Sequence, residues 1–276
     1  MLVKPFAAPH LTSRFWPVVM RNLLVWKKLA GPSVLGNIAE PLITLIAFGY
    51  GVGSLIGSVA DMPYVQYLAS GSVAASCALA ATFEGLYSAY SRMAVQKTWD
   101  SILNAPVALD DIVFAEMLWA AIKALFSCTA ILVVIFALGI SRTPSMLLAL
   151  PVLGLAGVTF ASLALIFNAL AKGYDFFTYY FTLVITPMTF LSGVYFPIAQ
   201  MPEWLQMVAQ VLPLKAAVDL IRPLVLGRIP ADPLLPLAIL TAYACAGWSA
   251  ATRTTSCRPS RRSASRRVRT TPSRSR

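Results

Sequence analysis

Charged side chains are scarce in this chain. Only 12% of its 276 residues are Asp, Glu, Lys or Arg, and 58% are hydrophobic, whereas an ordinary soluble domain carries about 25% charged residues. Because a soluble core cannot bury so much apolar surface, the composition excludes a soluble globular protein and indicates a membrane protein. At about 20 apolar residues per bilayer crossing, the length suits about six transmembrane helices in one domain.

Residues that support catalysis or nucleotide binding are equally scarce. His10 is the sole histidine and precedes the first apolar stretch, which disfavours a Ser-His pair or a histidine metal cluster within the membrane. No Gly-Lys dipeptide occurs, so the chain lacks the phosphate-binding loop of nucleoside triphosphatases. The four cysteines include no C-x-x-C pair and predict neither a disulfide nor a metal site. We therefore expect no catalytic residue, metal or cofactor on this chain.

The basic charge is concentrated at one end. Nine of the 22 basic residues lie between Arg253 and Arg276, a stretch with no acidic residue, and without them the formal charge of +11 falls to +2. A terminal block of like charge is typical of disorder. We therefore expect no nucleic-acid partner.

Six apolar stretches follow a polar N-terminus, and the last of them is the weakest. They cover about residues 33–57, 65–90, 112–139, 146–170, 176–197 and 233–251. Eight Lys and Arg residues lie near the predicted inner ends of the stretches and four near the outer ends, which predicts both termini in the cytoplasm. The chain thus divides into an N-terminus (1–32), a six-span domain (33–251) and a basic low-complexity tail (252–276).

Residues 13–30 mix basic and apolar side chains at helical spacing. Arg14, Arg21 and Lys28 recur every seven residues and share one helical stripe, among apolar residues that include Trp16 and Trp26. This pattern predicts an amphipathic helix at the membrane interface, in contact with lipid. The alternative is a polar lead-in to the first span.

The segment 91–111 joins the second and third spans on the cytoplasmic side. It mixes charged, aromatic and apolar residues and ends in Asp110-Asp111, which we expect to cap the next helix. Such a mixture suits docking to a partner protein, and the alternative is a solvated connection. The residues expected to dock are Arg92, Lys97, Trp99, Asp100, Leu103 and Pro106.

The outer segment 190–227 is neither a clean span nor an ordinary loop, because prolines and Gly193 interrupt it. Irregular backbone at membrane depth is tolerated only against protein or water. We therefore predict a re-entrant pair of short helices at the outer face. The whole fold is then an all-α membrane protein with six spans, an interfacial helix and this re-entrant segment.

Ionisable residues inside spans are costly and are candidates for function. Glu84, Glu116 and Lys123 qualify, as does Glu40 beside Pro41. Glu116 and Lys123 lie two helical turns apart on one face, so they either pair, line a polar path, or lie at the interface, where Lys123 extends to water. These residues do not have the pattern of a proton-relay chain.

The outer segment resembles the signature of the type-2 ABC exporter permeases. The resemblance rests on the blocks Gly193-Val-Tyr-Phe-Pro197 and Met201-Pro-Glu-Trp-Leu205 and extends from about residue 10 to residue 245. It assigns an outer gate to Gly193, Tyr195, Pro197, Pro202, Trp204, Pro213, Asp219 and Arg222.

The resemblance also implies partners and a location. It implies two copies of this subunit in a bacterial inner membrane, paired with two copies of a separate ATPase that binds ATP and magnesium. Residues 13–30 and 91–111 would contact that ATPase. The cargo would be an amphiphilic oligosaccharide, such as a lipo-chitooligosaccharide or another lipid-linked or acylated sugar.

An aromatic cluster opens the fifth span. Sugar-exporting members of the family often present aromatic residues to the substrate, so Phe177, Tyr179 and Tyr180 are candidates for the substrate path, together with Glu84 and the pair Glu116 and Lys123. The alternative for the aromatic residues is an interfacial belt.

The C-terminal end departs from the family pattern. After Trp248 the chain loses its apolar character, and Arg, Ser, Thr, Pro and Ala dominate without any acid. This composition is typical of GC-rich DNA read out of frame, so one hypothesis is a frameshift near residues 245–250. The competing hypothesis is a genuine polybasic tail attracted to anionic lipid.

The sequence leaves three candidate functions of different classes. The first is the permease of an ATP-driven exporter. The second is a stand-alone secondary transporter that uses Glu84, Glu116 and Lys123, although neither an internal repeat nor paired broken helices support it. A membrane enzyme is the third, and no catalytic motif favours it.

Overall fold

The computed structural model describes residues 11–28 and 30–257, except the side chains at positions 34, 37, 38, 40 and 257. The first ten residues, most of the basic tail and the side chain of Glu40 therefore lie outside the described part, and so do the predictions made for them.

The described chain is almost entirely helical. Its α-helices are α1 (Phe15–Lys27), α2 (Ala30–Thr44), α3 (Gly53–Ile56), α4 (Tyr64–Phe83), α5 (Thr98–Ile102), α6 (Leu109–Ala137), α7 (Ala149–Leu170), α8 (Asp175–Tyr180), α9 (Thr186–Leu191), α10 (Glu203–Val211), α11 (Pro213–Val225) and α12 (Leu234–Cys257). Two short strands, β1 (Ser58–Val59) and β2 (Met62–Pro63), form an antiparallel hairpin between α3 and α4. Short 3₁₀ segments cover Pro144–Leu148 and Ile198–Gln200.

Three helices among the described residues are long and apolar enough to cross a membrane: Leu109–Ala137, Pro144–Leu170 and Leu234–Ser256. They confirm the predicted stretches 112–139, 146–170 and 233–251. The last of these continues as a helix beyond Trp248, where the sequence becomes polar.

The other three apolar stretches are also largely helical, but π-helical turns interrupt each of them. These turns are Leu45–Val52 after α2, Glu84–Ser88 and Ser91–Val95 after α4, and Phe181–Ile185 between α8 and α9. A π-helical turn inserts an extra residue into the helix, and such turns occur often at functional sites.

Helix α7 lies at the centre of the bundle, where α4, α6, α11 and α12 pack against it. Small residues allow these close approaches: a Cβ at Gly157 would lie 3.1 Å from the Cα of Ala121, and one at Gly85 would lie 2.8 Å from the Cβ of Ala164. Helices in membranes commonly associate through such small residues.

The N-terminal helix α1 packs on α6. Val18 and Val19 are buried against Ala115, and Phe15 meets Phe114 edge to face, with 5.0 Å between the ring centroids. The start of α6 is capped as predicted, because the Asp111 carboxylate accepts a bond from the amide of Ala108.

The outer segment is broken where the sequence predicts. Helix α9 ends at Leu191, Gly193 takes a positive φ of 74°, and α10 and α11 follow. Helix α10 exposes apolar residues, including Trp204, whereas α11 begins at Pro213 and is largely buried against α4, α7 and α12.

We expect Gly157→Leu to destabilise the bundle by about 1–3 kcal/mol, because the new side chain would push against the backbone of α6. The measurement is thermal unfolding of the purified protein in detergent. Gly154→Leu is the matched control: this position is one turn earlier on α7, where a Cβ meets only the Cδ1 of Leu125 at 3.6 Å. Equal melting temperatures for the two variants would contradict the close packing.

Candidate functional site

A buried cluster of charges joins the end of α4 to α6. The Arg92 guanidinium lies between two carboxylates: its Nη2 is 2.9 Å from Glu84 Oε1, and its Nε is 3.0 Å from both oxygens of Glu116. The side chain of Arg92 is 14% exposed, that of Glu84 is 3% exposed and that of Glu116 is fully buried. The two π-helical turns place Glu84 and Arg92 on the same side of the helix end.

Two tryptophans and a lysine complete this cluster. Trp119 Nε1 donates to Glu84 Oε1 at 2.9 Å, Trp99 Nε1 donates to Glu116 Oε1 at 3.2 Å, and Lys123 Nζ lies 2.7 Å from Glu84 Oε2. Trp99 belongs to α5, so its bond attaches the segment 91–111 to α6. We call these six residues the polar cluster: Glu84, Arg92, Trp99, Glu116, Trp119 and Lys123.

The polar cluster bears on two predictions. Of the alternatives for Glu116 and Lys123, pairing with each other is excluded, because each is bound to a residue outside α6: Glu116 to Arg92, and Lys123 to Glu84. Arg92 and Trp99 point inward into the cluster, and their role in docking stays a prediction. Sequence reasoning missed these contacts because the partners lie 17 to 39 positions apart in the chain.

The other predicted docking residues are exposed on the loop. They are Lys97, Asp100, Leu103 and Pro106, and we call them the loop face. The start of α1 reaches this loop, because the Arg14 guanidinium donates to the carbonyl of Pro106. Thr12 also donates to the Asp111 carboxylate from its amide and its hydroxyl, each at 2.7 Å. The two segments predicted to meet a partner therefore lie side by side.

The other residues of the predicted interfacial helix are divided between two surroundings. Trp16 and Lys28 are exposed. Arg21 and Trp26 instead line a cavity beside the polar cluster, and Trp26 stacks on Phe126 with 5.2 Å between the centroids.

A second polar contact holds the outer segment, and we call it the outer latch. Arg222 Nη2 donates to the carbonyl of Gly193 at 2.7 Å, and the hydroxyl of Tyr67 donates to the same oxygen at 2.8 Å. The guanidinium carbon of Arg222 lies 3.8 Å from the centroid of the Tyr67 ring, in the range of a cation–π contact. These contacts join the chain break to α4 and α11.

The remaining predicted gate residues lie along the chain between Gly193 and Arg222 of the latch. Asp219 forms an ion pair with Lys215 on α11. Tyr195 and Pro197 line an apolar cavity, while Pro202 and Pro213 each precede or begin a helix, α10 and α11.

The aromatic residues predicted to line a path differ in their exposure, and their role in a path stays a prediction. Phe177 and Tyr180 are buried, and Tyr179 is exposed but has no place in the stacked rings described next. A row of four other rings, which we call the aromatic ladder, consists of Tyr174, Tyr87, Phe83 and Phe181. Successive ring centroids along this row are 6.0, 4.6 and 5.3 Å apart. Phe83 and Tyr87 lie one helical turn apart in the sequence, and from this spacing half of the aromatic ladder could have been predicted.

Two cavities lie along the aromatic ladder, and a third adjoins the second of them. The inner cavity, of about 440 Å³, is lined by Tyr87 and Tyr174 beside the polar cluster. The middle cavity, of about 430 Å³, is lined by Phe83 and Phe181. The outer cavity, of about 460 Å³, is mainly apolar and shares Tyr195 with the middle one. Each volume lies within the range of small-molecule sites, about 300–1,000 Å³.

The comparisons with known proteins agree with this architecture. A family model described as ABC-2 type transporter matches residues 13–226. Nodulation protein J of Sinorhizobium fredii is 46% identical over 224 residues, which cover 81% of this chain and 86% of that protein. Nodulation protein J of Rhizobium meliloti is 47% identical over 224 residues, with the same coverage. The inner membrane transport permease YadH of Escherichia coli is 24% identical over 182 residues, covering 64% of this chain and 71% of that permease.

We expect Arg92→Met to lower the free energy of unfolding by about 3–5 kcal/mol, because it leaves two buried carboxylates without their shared cation. Thermal or chemical denaturation in detergent measures this change. Lys97→Met is the control, since it removes the same charge from an exposed position in the same segment and should change stability by less than about 0.5 kcal/mol. If both variants unfold alike, the polar cluster does not hold the helices together.

Proposed function

Because the chain belongs to the ABC-2 type transporter family, we propose that it forms the membrane-spanning permease of an ATP-driven exporter. Two copies would pair with two copies of a separate ATPase that carries ATP and magnesium. This arrangement is consistent with the absence of a phosphate-binding loop from the sequence. The exporter would lie in a bacterial inner membrane, with both termini of this chain in the cytoplasm.

The proposed topology has six spans. Helices α6, α7 and α12 supply three of them, and the three π-interrupted stretches near residues 33–57, 65–90 and 176–191 supply the others. In this arrangement α10 and α11 form the re-entrant outer element, with the apolar face of α10 toward lipid and α11 within the bundle.

One observation carries the proposal: the polar cluster fixes the cytoplasmic loop to two predicted spans. The Trp99–Glu116 bond ties α5 to α6, and Arg92 ties the same loop to α4. A force on the loop face would therefore move α4 and α6 together. The ATP-bound partner then shifts the permease toward the state of the permease that this form of the partner binds more tightly.

The proposed cargo is a lipo-chitooligosaccharide or a related acylated oligosaccharide. Aromatic rings offer flat apolar faces with polar edges, which suit sugar rings, and the aromatic ladder provides four of them between the inner and middle cavities. The apolar outer cavity suits an acyl chain. These features support an amphiphilic cargo with a sugar end and a lipid end.

We expect the permease to copurify with a phosphate-loop ATPase when the two are expressed together. Asp100→Arg on the loop face should reduce the ATPase recovered per permease by at least about tenfold, since a like-charge contact at an interface costs several kcal/mol and each ~1.4 kcal/mol is tenfold in affinity. Arg142→Asp, a charge reversal on the predicted outer side, is the control. Export in cells that lack any partner ATPase would contradict this proposal and favour a secondary transporter.

We expect Phe83→Ala to slow export by about three- to tenfold, because the contact of this ring with a sugar of the cargo would be lost. Such a contact is comparable to an aromatic pair, which contributes about 0.5–1.5 kcal/mol. Secreted acylated oligosaccharide measures the effect, and ATPase recovery should not change. Phe136→Ala is the control, since Phe83 and Phe136 are both 54% exposed and no ring contact involves Phe136 among the described residues. Equal export by the two variants would exclude the ladder from the path.

A further inference from the structure

The inner cavity lies between α1, the end of α4 and α6. Its walls combine aromatic rings with polar groups: Trp26, Tyr87 and Trp119 supply rings, while Arg21, Asn22 and Gln96 supply side-chain donors. Serine hydroxyls at positions 33, 88 and 91 also border it. The cavity is therefore lined for a ligand that has both apolar faces and hydrogen-bonding groups.

Two donors in this wall have no acceptor among the described residues. Asn22 is only 4% exposed, and its Nδ2 is buried without a hydrogen-bond partner, as is Nη1 of the neighbouring Arg21. Buried donors in native proteins are nearly always paired, because an unpaired donor loses its bonds to water without replacement. Both residues line the same cavity, so an acceptor on a bound molecule would satisfy them.

The lining as a whole indicates what kind of molecule this is. Glu84 borders the cavity, and its carboxylate is already bound to Arg92 and Lys123, which leaves Arg21 as the lining cation without an ion pair among the described residues. A phosphate could pair with Arg21 but could not use the aromatic walls. An uncharged sugar with an amide carbonyl uses the free donors, the serine hydroxyls and the rings together.

We propose that the inner cavity is a loading site for the uncharged N-acylated sugar end of the exported amphiphile. Asn22 and Arg21 donate to an amide carbonyl or hydroxyl of the sugar, and Trp26 and Tyr87 contact its rings. Tyr87 belongs to both this cavity and the aromatic ladder, so it connects loading to the onward path. The assignment rests on the proposed export of such a cargo.

The test uses the purified permease with its ATPase in phosphatidylcholine nanodiscs, with tetra-N-acetylchitotetraose as the probe and titration calorimetry as the readout. Asn22→Leu should weaken binding about three- to tenfold, as expected for one lost hydrogen bond. The melting temperature without the probe should not fall, because the substitution removes an unpaired donor. Cellotetraose, which has hydroxyls in place of the acetamido groups, should bind more weakly.

Asn168→Leu is the matched control. Asn168 is equally buried, but its Nδ2 donates to the carbonyls of Gly85 and Leu86 at 2.8 and 3.2 Å. This variant should lower the melting temperature without the probe, in contrast to Asn22→Leu. If Asn22→Leu destabilises the protein to the same extent, Asn22 is a structural residue and the loading site is rejected.

Two further results would overturn the inference. One is unchanged affinity for chitotetraose in Asn22→Leu, or no binding by the wild type. The other is competition by phosphatidylglycerol that depends on Asn22, which would make the occupant an anionic lipid headgroup. Export of acylated oligosaccharide by wild-type cells is measured separately. If export persists while chitotetraose does not bind, only the loading site fails; if no such export occurs, the proposed function fails.

Discussion

The buried contact of one guanidinium with two carboxylates is the interaction on which the packing of α4, α5 and α6 depends. Arg92 forms ion pairs with Glu84, which lies on the π-helical turn directly after α4, and with Glu116 of α6. Removing three charges from water is costly, and only close, multiple hydrogen bonds offset that cost. The two tryptophan donors and Lys123 supply the additional bonds. The geometry of α4, α5 and α6 is therefore tied to one set of distances, and these helices cannot shift independently at this end.

The π-helical turns and the cavities occur at the same places. Phe48 and Val52 of the first turn line the outer cavity, Glu84 and Tyr87 of the second line the inner one, and Phe181 of the fourth lines the middle one. An inserted residue breaks the regular face of a helix, so the helix cannot pack flush with its neighbours there. The same local irregularity that weakens these helices as uniform spans also leaves room for a ligand between them.

Hydropathy and turn residues predicted much of the fold, because long apolar runs and interrupting prolines act locally. Helices α6, α7 and α12 and the break at Gly193 follow from such signals. The polar cluster could not be predicted, since Arg92 is equally compatible with a solvated loop until the position of Glu116 in space is known. The aromatic residues show the same limit: Phe177 and Tyr180 are as aromatic as Phe83 and Tyr87, and only packing decides which rings remain accessible.

The outer latch determines how the break at Gly193 is held against α4 and α11. A single carbonyl, that of Gly193, accepts bonds from both Tyr67 and Arg222. The two hydrogen bonds share one acceptor, so a displacement of the backbone at Gly193 breaks both at once. A partial opening therefore costs as much free energy in lost hydrogen bonds as a full opening. Such a contact has a threshold. It resists small thermal fluctuations of the chain at Gly193, and it yields only when a large enough displacement arrives from within the bundle.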